Sequence, residues 1–174
     1  TMLILHDPRC ADYGSSMRPE QPARVIRSAA HLRTAHPDWT WRIPALPPAT
    51  EEALLLAHTP AHVKRLALAS DFDGDTPYFP GIADHARRSV AAALEAARHA
   101  LTVQPREPVF SLMRPPGHHA TGTQAMGFCY LNQIAITALY AQRHLGAAKL
   151  AVWDFDAHHG NGPEALYQEQ QNTF

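Results

Sequence analysis

The sequence predicts an α/β fold with a mostly parallel sheet covered on both faces. Short apolar runs alternate with helix-periodic stretches, and the histidine-rich and acidic motifs follow the runs instead of interrupting them. At 174 residues the chain suits one domain with a real core, and neither an internal repeat nor a low-complexity segment is visible. In such a sheet, ligands gather beyond the carboxyl ends of the strands.

Met2 to Leu5 is an apolar run that predicts a first strand, ending in the turn His6-Asp7-Pro8. Prolines exclude continuous helix from Asp7 to Pro22. From Ala23 to Ala35, Val25, Ile26, Ala29, Ala30 and Leu32 recur at helical spacing. Trp39 to Ile43 predicts a second strand, closed by Pro44 to Pro48. Thr50 with Glu51 and Glu52 predicts a helix start covering Leu54 to Leu56, and Thr59-Pro60 starts another over Ala61 to Ala69. Ile82 to Leu101 is an alanine-rich packing helix. Pro108 to Met113 predicts a buried strand, Asn132 to His144 a helix capped by Gly146, and Lys149 to Phe155 a buried strand running into Gly160-Asn161-Gly162.

Lys and Arg number 15 against 16 Asp and Glu, so no electrostatic footprint for nucleic acid or a membrane surface is expected. Cys10 and Cys129 are few and far apart, which fits free thiols in a reducing, cytoplasmic compartment. Neither a signal peptide nor a bilayer-spanning stretch is expected. Asn172-Thr173-Phe174 stops where an α/β chain would begin its next strand, so the chain is expected to continue.

The chemistry concentrates at two strand ends. In a strand, Asp154, Asp156 and His158 would share one face. Carboxylates there are costly unless paired or metal-bound, and Asp with neutral His suits a transition metal such as zinc. The alternatives are a metal half-site or an exposed polar strand end. After the other run, Pro115-Pro116-Gly117 precedes His118-His119. Two imidazoles beside an activated water suit amide hydrolysis: one takes a proton, while the other stays positive or protonates the departing amine. The acidic loop from Asp71 to Pro77 reads as a calcium loop, though no bidentate Glu follows at the EF-hand distance, or as a solvated or rim-of-site loop, with Asp73 and Asp75 the rim candidates.

Three blocks then carry a resemblance. They are Arg114-Pro115-Pro116-Gly117-His118-His119-Ala120, Gly127-Phe128-Cys129-Tyr130-Leu131-Asn132, and Asp154-Phe155-Asp156-Ala157-His158-His159-Gly160-Asn161-Gly162. Together with His6-Asp7-Pro8, the block from Arg18 to Arg24, His58-Thr59-Pro60 and Asp75-Thr76, they resemble the histone deacetylase family, in its class II-like and bacterial amidohydrolase branches. The resemblance implies the arginase/deacetylase-type three-layer α/β/α sandwich, incomplete at the C-terminus, with residues 1–174 as the N-terminal part of a single deacetylase domain. It implies zinc-dependent removal of acetyl groups from acetyl-lysine or acetylpolyamine, with no direct nucleic-acid or membrane partner and with oligomers allowed.

Carried over by position, Asp156 and His158 are two of three zinc ligands, and His118 and His119 are the catalytic pair. His119 is the base and His118 mainly its electrostatic partner. Asp154 orients His118 and allows a structural monovalent cation (K+) nearby. Gly127 offers its carbonyl to the substrate amide, and Phe128 lines the acyl-lysine tunnel. Asn161 stands where one branch of the family has Asp behind the second histidine. Gly160 stands where the related arginases carry an Asp that serves a second manganese, so a binuclear site is disfavoured. The third zinc ligand and the oxyanion-stabilising Tyr or His are expected downstream, which makes residues 1–174 alone inactive and weak in zinc. The competing expectation is a degenerate member that binds acetylated ligands or partners without turnover.

Overall fold

The computed structural model describes residues 1–168. The expected strands form in shortened versions: β1 (Leu3–Leu5), β2 (Thr40–Arg42) and β3 (Val109–Ser111). They are parallel and ordered β2-β1-β3, with Ile4 opposite Trp41 on one side and Phe110 on the other. Successive strand residues point to opposite faces. Leu3, Ile4 and Leu5 are all buried, so both faces of the central strand are covered. This is the α/β arrangement that the alternating pattern predicts.

Among the described residues, six α-helices follow from their caps and periodicity: α1 (Pro22–Ala35), α2 (Glu51–Leu54), α3 (Pro60–Arg65), α4 (Ile82–Thr102), α5 (Gln133–His144) and α6 (Asn161–Gln168). The Thr50 and Thr59 hydroxyls accept the Ala53 and His62 amides, and Asn132 Oδ1 accepts that of Ala135, satisfying orphan donors at three helix starts. Gly146, at φ 69°, ends α5 by letting the Ala147 amide turn back onto the Ala141 carbonyl at 3.1 Å. The helix expected to reach Ala69 stops at Arg65. There the Arg65 guanidinium takes the Ser70 and Asp71 carbonyls at 3.2 and 2.7 Å and bends the chain into the acidic loop.

The core lies where α4 packs on α5 and β3, built from Leu54, Ile82, Val90, Leu131, Ile136 and Leu139. Glu95 of α4 is buried but paired. Its oxygens take Arg42 at 2.8 Å and the Ala45 and Leu46 amides at 2.7 and 3.0 Å, locking the end of β2 to the helix. Cys10 and Cys129 are free, buried thiols. Among the described residues, no helix is long and apolar enough to cross a membrane.

Two expectations need correction. The Pro108–Met113 run is not a buried strand: Val109 and Ser111 are half-buried and Phe110 is exposed, because β3 is an edge strand among the described residues. Lys149 to Phe155 is not a strand at all. It is exposed, with Trp153 and Phe155 at 85% and 84%. A strand exists only through a hydrogen-bonded neighbour, and none of the described strands pairs with this stretch. The further strand expected after Asn172 lies outside the described residues.

Candidate active site

The His118–His119 loop leaves β3 under tight constraint. Arg114, almost fully buried, makes a two-point ion pair with Glu20 at 2.6 and 2.8 Å and gives its remaining amino group to the Cys10 carbonyl at 2.7 Å. The Pro115 carbonyl accepts the Ser89 hydroxyl of α4 and the Gln133 amide of α5, at 3.1 and 3.3 Å. A Cβ on Gly117 would lie 2.5 Å from the Leu131 carbonyl, so only glycine lets the loop run this close. Beyond the pair, Asn132 Nδ2 donates to the Ala120 carbonyl at 2.8 Å, and the Gly162 amide donates to the His118 carbonyl at 2.9 Å.

Behind Asn132 stands a second pair of imidazoles, both buried. His58 Nε2 accepts the Asn132 amide at 2.9 Å, and His62 Nε2 donates to the Tyr130 carbonyl at 2.9 Å. Burial, aided by His62, pushes His58 down to about 4, and burial also lowers His62. An imidazole that accepts an amide hydrogen cannot also be doubly protonated. His58 is therefore neutral.

The rings of His118 and His119 lie 4.0 Å apart, centroid to centroid, tilted by 40°. Each is held through Nδ1, by chemically different groups. His118 Nδ1 meets the Asp154 carboxylate at 2.9 Å, and His119 Nδ1 meets Asn161 Oδ1 at 2.6 Å. Asn161 is oriented by its own Nδ2, which donates to the His119 carbonyl and the Met126 sulfur. Its oxygen thus faces the ring, Nδ1 carries the proton, and Nε2 is left as the basic atom of His119.

Asp154 is fixed at both oxygens: Oδ2 by His118, and Oδ1 by the Asp156 amide at 3.1 Å. Partial burial opposes its charge, but these hydrogen bonds outweigh it and hold the carboxyl below its usual range. Asp156 Oδ1 accepts the His158 amide at 2.8 Å and lies 3.0 Å from His158 Nδ1. That amide, then the ring, holds the Asp156 carboxyl low as well. His118 Nε2 is 4.0 Å from Asp156 Oδ1, so the pair and the Asp–His couple face one another.

A cleft of about 790 Å³ joins His118, His119, Asp154, Asp156 and His158 to Gly127 and Phe128. Phe128 has φ 65°, a backbone state that non-glycine residues rarely adopt. The buried Thr76 hydroxyl holds it by accepting the Phe128 amide at 3.1 Å. Asp73 Oδ1 in turn accepts the Asp75 and Thr76 amides at 2.9 and 2.6 Å, so its oxygen is occupied in shaping the loop while Asp75 lines the cleft. Of the readings of the acidic loop, the rim is the one that the place of Asp75 in the cleft supports. Trp153 and Phe155 also line this cleft.

Each predicted site residue therefore reaches one cleft. Sequence reasoning named no supporting role for Glu20, His58, Thr76 or Asn132. The only signal for them was their presence in the short motif blocks.

Among the described residues, no three His, Cys, Asp or Glu side chains form a group placed to hold a metal ion. Asp156 Oδ1 and His158 Nδ1 do suit zinc as a pair. Their 3.0 Å separation approaches the ~3.3 Å expected between two ligand atoms of a tetrahedral zinc.

A family model for the histone deacetylase domain matches residues 18–174. The chain is 40% identical over 171 residues to the uncharacterized protein slr0245 of Synechocystis, covering 90% of this chain and 53% of that protein. It is 39% identical over 132 residues to a histone deacetylase-like amidohydrolase of Pseudomonas aeruginosa, covering 73% of this chain and 34% of that one. The crystal structure of the HDA15 HD domain superposes with a TM-score of 0.89 at 30% identity, over 100% of this chain and 52% of that one. The chain thus spans about half the length, or less, of the proteins it matches.

Proposed function

Because this chain belongs to the histone deacetylase family, we propose that residues 1–174 are the N-terminal part of a single domain that hydrolyses the acetyl amide of acetyl-lysine or acetylpolyamine with zinc. The observation that carries the reading is the contrast between the two histidines. One imidazole leans on a carboxylate and the other on an amide, in one cleft, beside an Asp–His couple of suitable spacing.

Asp156 and His158 would hold the zinc through Oδ1 and Nδ1, once His158 releases the proton it shares with Asp156, and a third donor comes from outside the described residues. Bound there, zinc would polarise the acetyl carbonyl and make water acidic enough to attack near neutral pH. His119 accepts the proton of the attacking water at Nε2, since Asn161 keeps its Nδ1 protonated without adding charge. His118, bonded through Nδ1 to the Asp154 carboxylate, is oriented to balance developing negative charge and to protonate the departing amine. Phe128, Trp153 and Phe155 supply apolar walls for an alkyl chain and exclude water from it. The Gly127 carbonyl serves the substrate N–H, and Asp75 at the rim favours a cationic or N–H-bearing substrate. Asp154 is also the group beside which a structural K+ would sit.

The test is a deacetylation assay of the full-length protein, with zinc quantified, on acetyl-lysine peptides and acetylpolyamines. Turnover that disappears with a chelator and returns with zinc is expected. His119→Ala should abolish turnover and keep the metal, and residues 1–174 alone should not turn over. Ligand binding without turnover by the zinc-loaded full-length protein would instead make it a binding module.

A further inference from the structure

Gly160 has a backbone any residue can adopt, since its φ lies outside the left-handed region, so conformational freedom does not explain a glycine there. Space does. A Cβ built on Gly160 would overlap Asp154 Oδ2, with Cγ of the same carboxylate at 3.4 Å. That oxygen is the one bonded to His118 Nδ1 at 2.9 Å. The other oxygen is held by the Asp156 amide at 3.1 Å, so the carboxylate has no easy rotation that clears position 160 and keeps both bonds.

We infer that Gly160 is a positioning residue for His118: its bare Cα is the seat of the Asp154 oxygen that orients the ring. Any side chain at 160 evicts that oxygen, because the end of a side chain yields more easily than backbone. A ligating residue at 160 and the Asp154–His118 couple are therefore mutually exclusive in this geometry. Gly127 is a second case, for the other ring. A Cβ there would lie 2.5 Å from His119 Cδ2, but its φ of 55° also demands glycine, which makes it the less clean test.

The kinetic arm of the test rests on the deacetylase reading, while the spectroscopic arm rests on geometry alone. In the full-length, zinc-loaded protein, Gly160→Ala should lower kcat about 10- to 100-fold with little change in KM or metal content, the size typical of groups that orient a site from behind. Asp154→Asn should have a similar effect, and in that background Gly160→Ala should cost less than about twofold, because the two act through one contact. By NMR, the His118 Nδ1 proton signal should be lost or displaced in Gly160→Ala as in Asp154→Asn. Gly74→Ala, whose Cβ meets nothing within 4 Å, should leave it unchanged. If Gly160→Ala lowers the melting temperature, adding Asp154→Ala, which vacates the space, should restore it. A full kinetic cost in the Asp154→Asn background, an unaltered His118 signal in Gly160→Ala, or no restoration by Asp154→Ala would each overturn the inference. A wild-type protein without turnover would defeat the deacetylase reading and leave the NMR comparison to decide this one.

Discussion

His118 and His119 sit in a loop tied to buried groups on every side, whereas Asp154, Asp156 and His158 sit in a stretch whose neighbours are mostly solvent. The loop is held by Arg114, Ser89, Asn132 and the Gly162 amide. The stretch from Lys149 is irregular and exposed, and its acids bond chiefly to their own neighbours and to His118. One half of the cleft is thus preorganised by this chain's own core, and the other half leans on the first. Stability in this molecule should accordingly track the loop far more than the stretch.

The largest way to break this contrast is at the buried ion pair. Arg114→Met leaves Glu20 buried with Arg24, 3.6 Å away, as its remaining cation. Losing one partner of a buried pair typically costs about 3–5 kcal/mol, and urea unfolding should register a loss near the lower end. Acid is the next probe. Since burial pushes the folded His58 down to about 4 while the unfolded imidazole has its ordinary value of ~6.5, the unfolded state takes up the proton first. This group's stabilisation is complete above the unfolded value, falls as pH drops toward 4, and is constant below. The span is about 3 kcal/mol. His58→Gln should flatten that slope in unfolding measured between those limits.

Asn132→Ala removes both the α5 cap and the tie to Ala120, and should cost about 2 kcal/mol. A loss that small or smaller in the Arg114 variant would weaken the case for a rigid loop. At the other end of the scale, Trp153→Ser in residues 1–174 should change stability by no more than about 0.5 kcal/mol, since the side chain is already in solvent. Asn161→Asp sharpens the comparison within the pair. A carboxylate would make the setting of His119 resemble that of His118, so the acid limb of the full-length enzyme's rate profile should move to higher pH.

The alternation of elements, the helix starts at Thr50 and Thr59, and the membership of the cleft were all legible in the sequence, because each rests on local pattern or on motif blocks. Pairing was not. Lys149–Phe155 has strand composition, yet composition cannot supply the neighbour that turns an extended run into a strand. For the same reason Phe110 reads as core and is exposed. The Arg114–Glu20 pair joins residues 94 apart, and no spacing rule reaches that far. Gly160 was legible as a missing ligand. Its second meaning, room for a neighbouring oxygen, needed three dimensions.

Both thiols lie beside the residues that tie down the His118–His119 loop, not in the cleft itself. The Cys10 carbonyl receives Arg114, and the Cys129 backbone pairs with that of Met126 just before α5. Burial pushes Cys10 up to about 11 and Cys129 up to about 12, so in the folded protein neither offers an appreciable thiolate to an alkylating reagent. The molecule thereby carries two internal clocks. The rate at which a maleimide or iodoacetamide consumes each thiol, resolved by mass spectrometry, reports how often the floor beneath His118 and His119 opens, without adding a label or removing a residue.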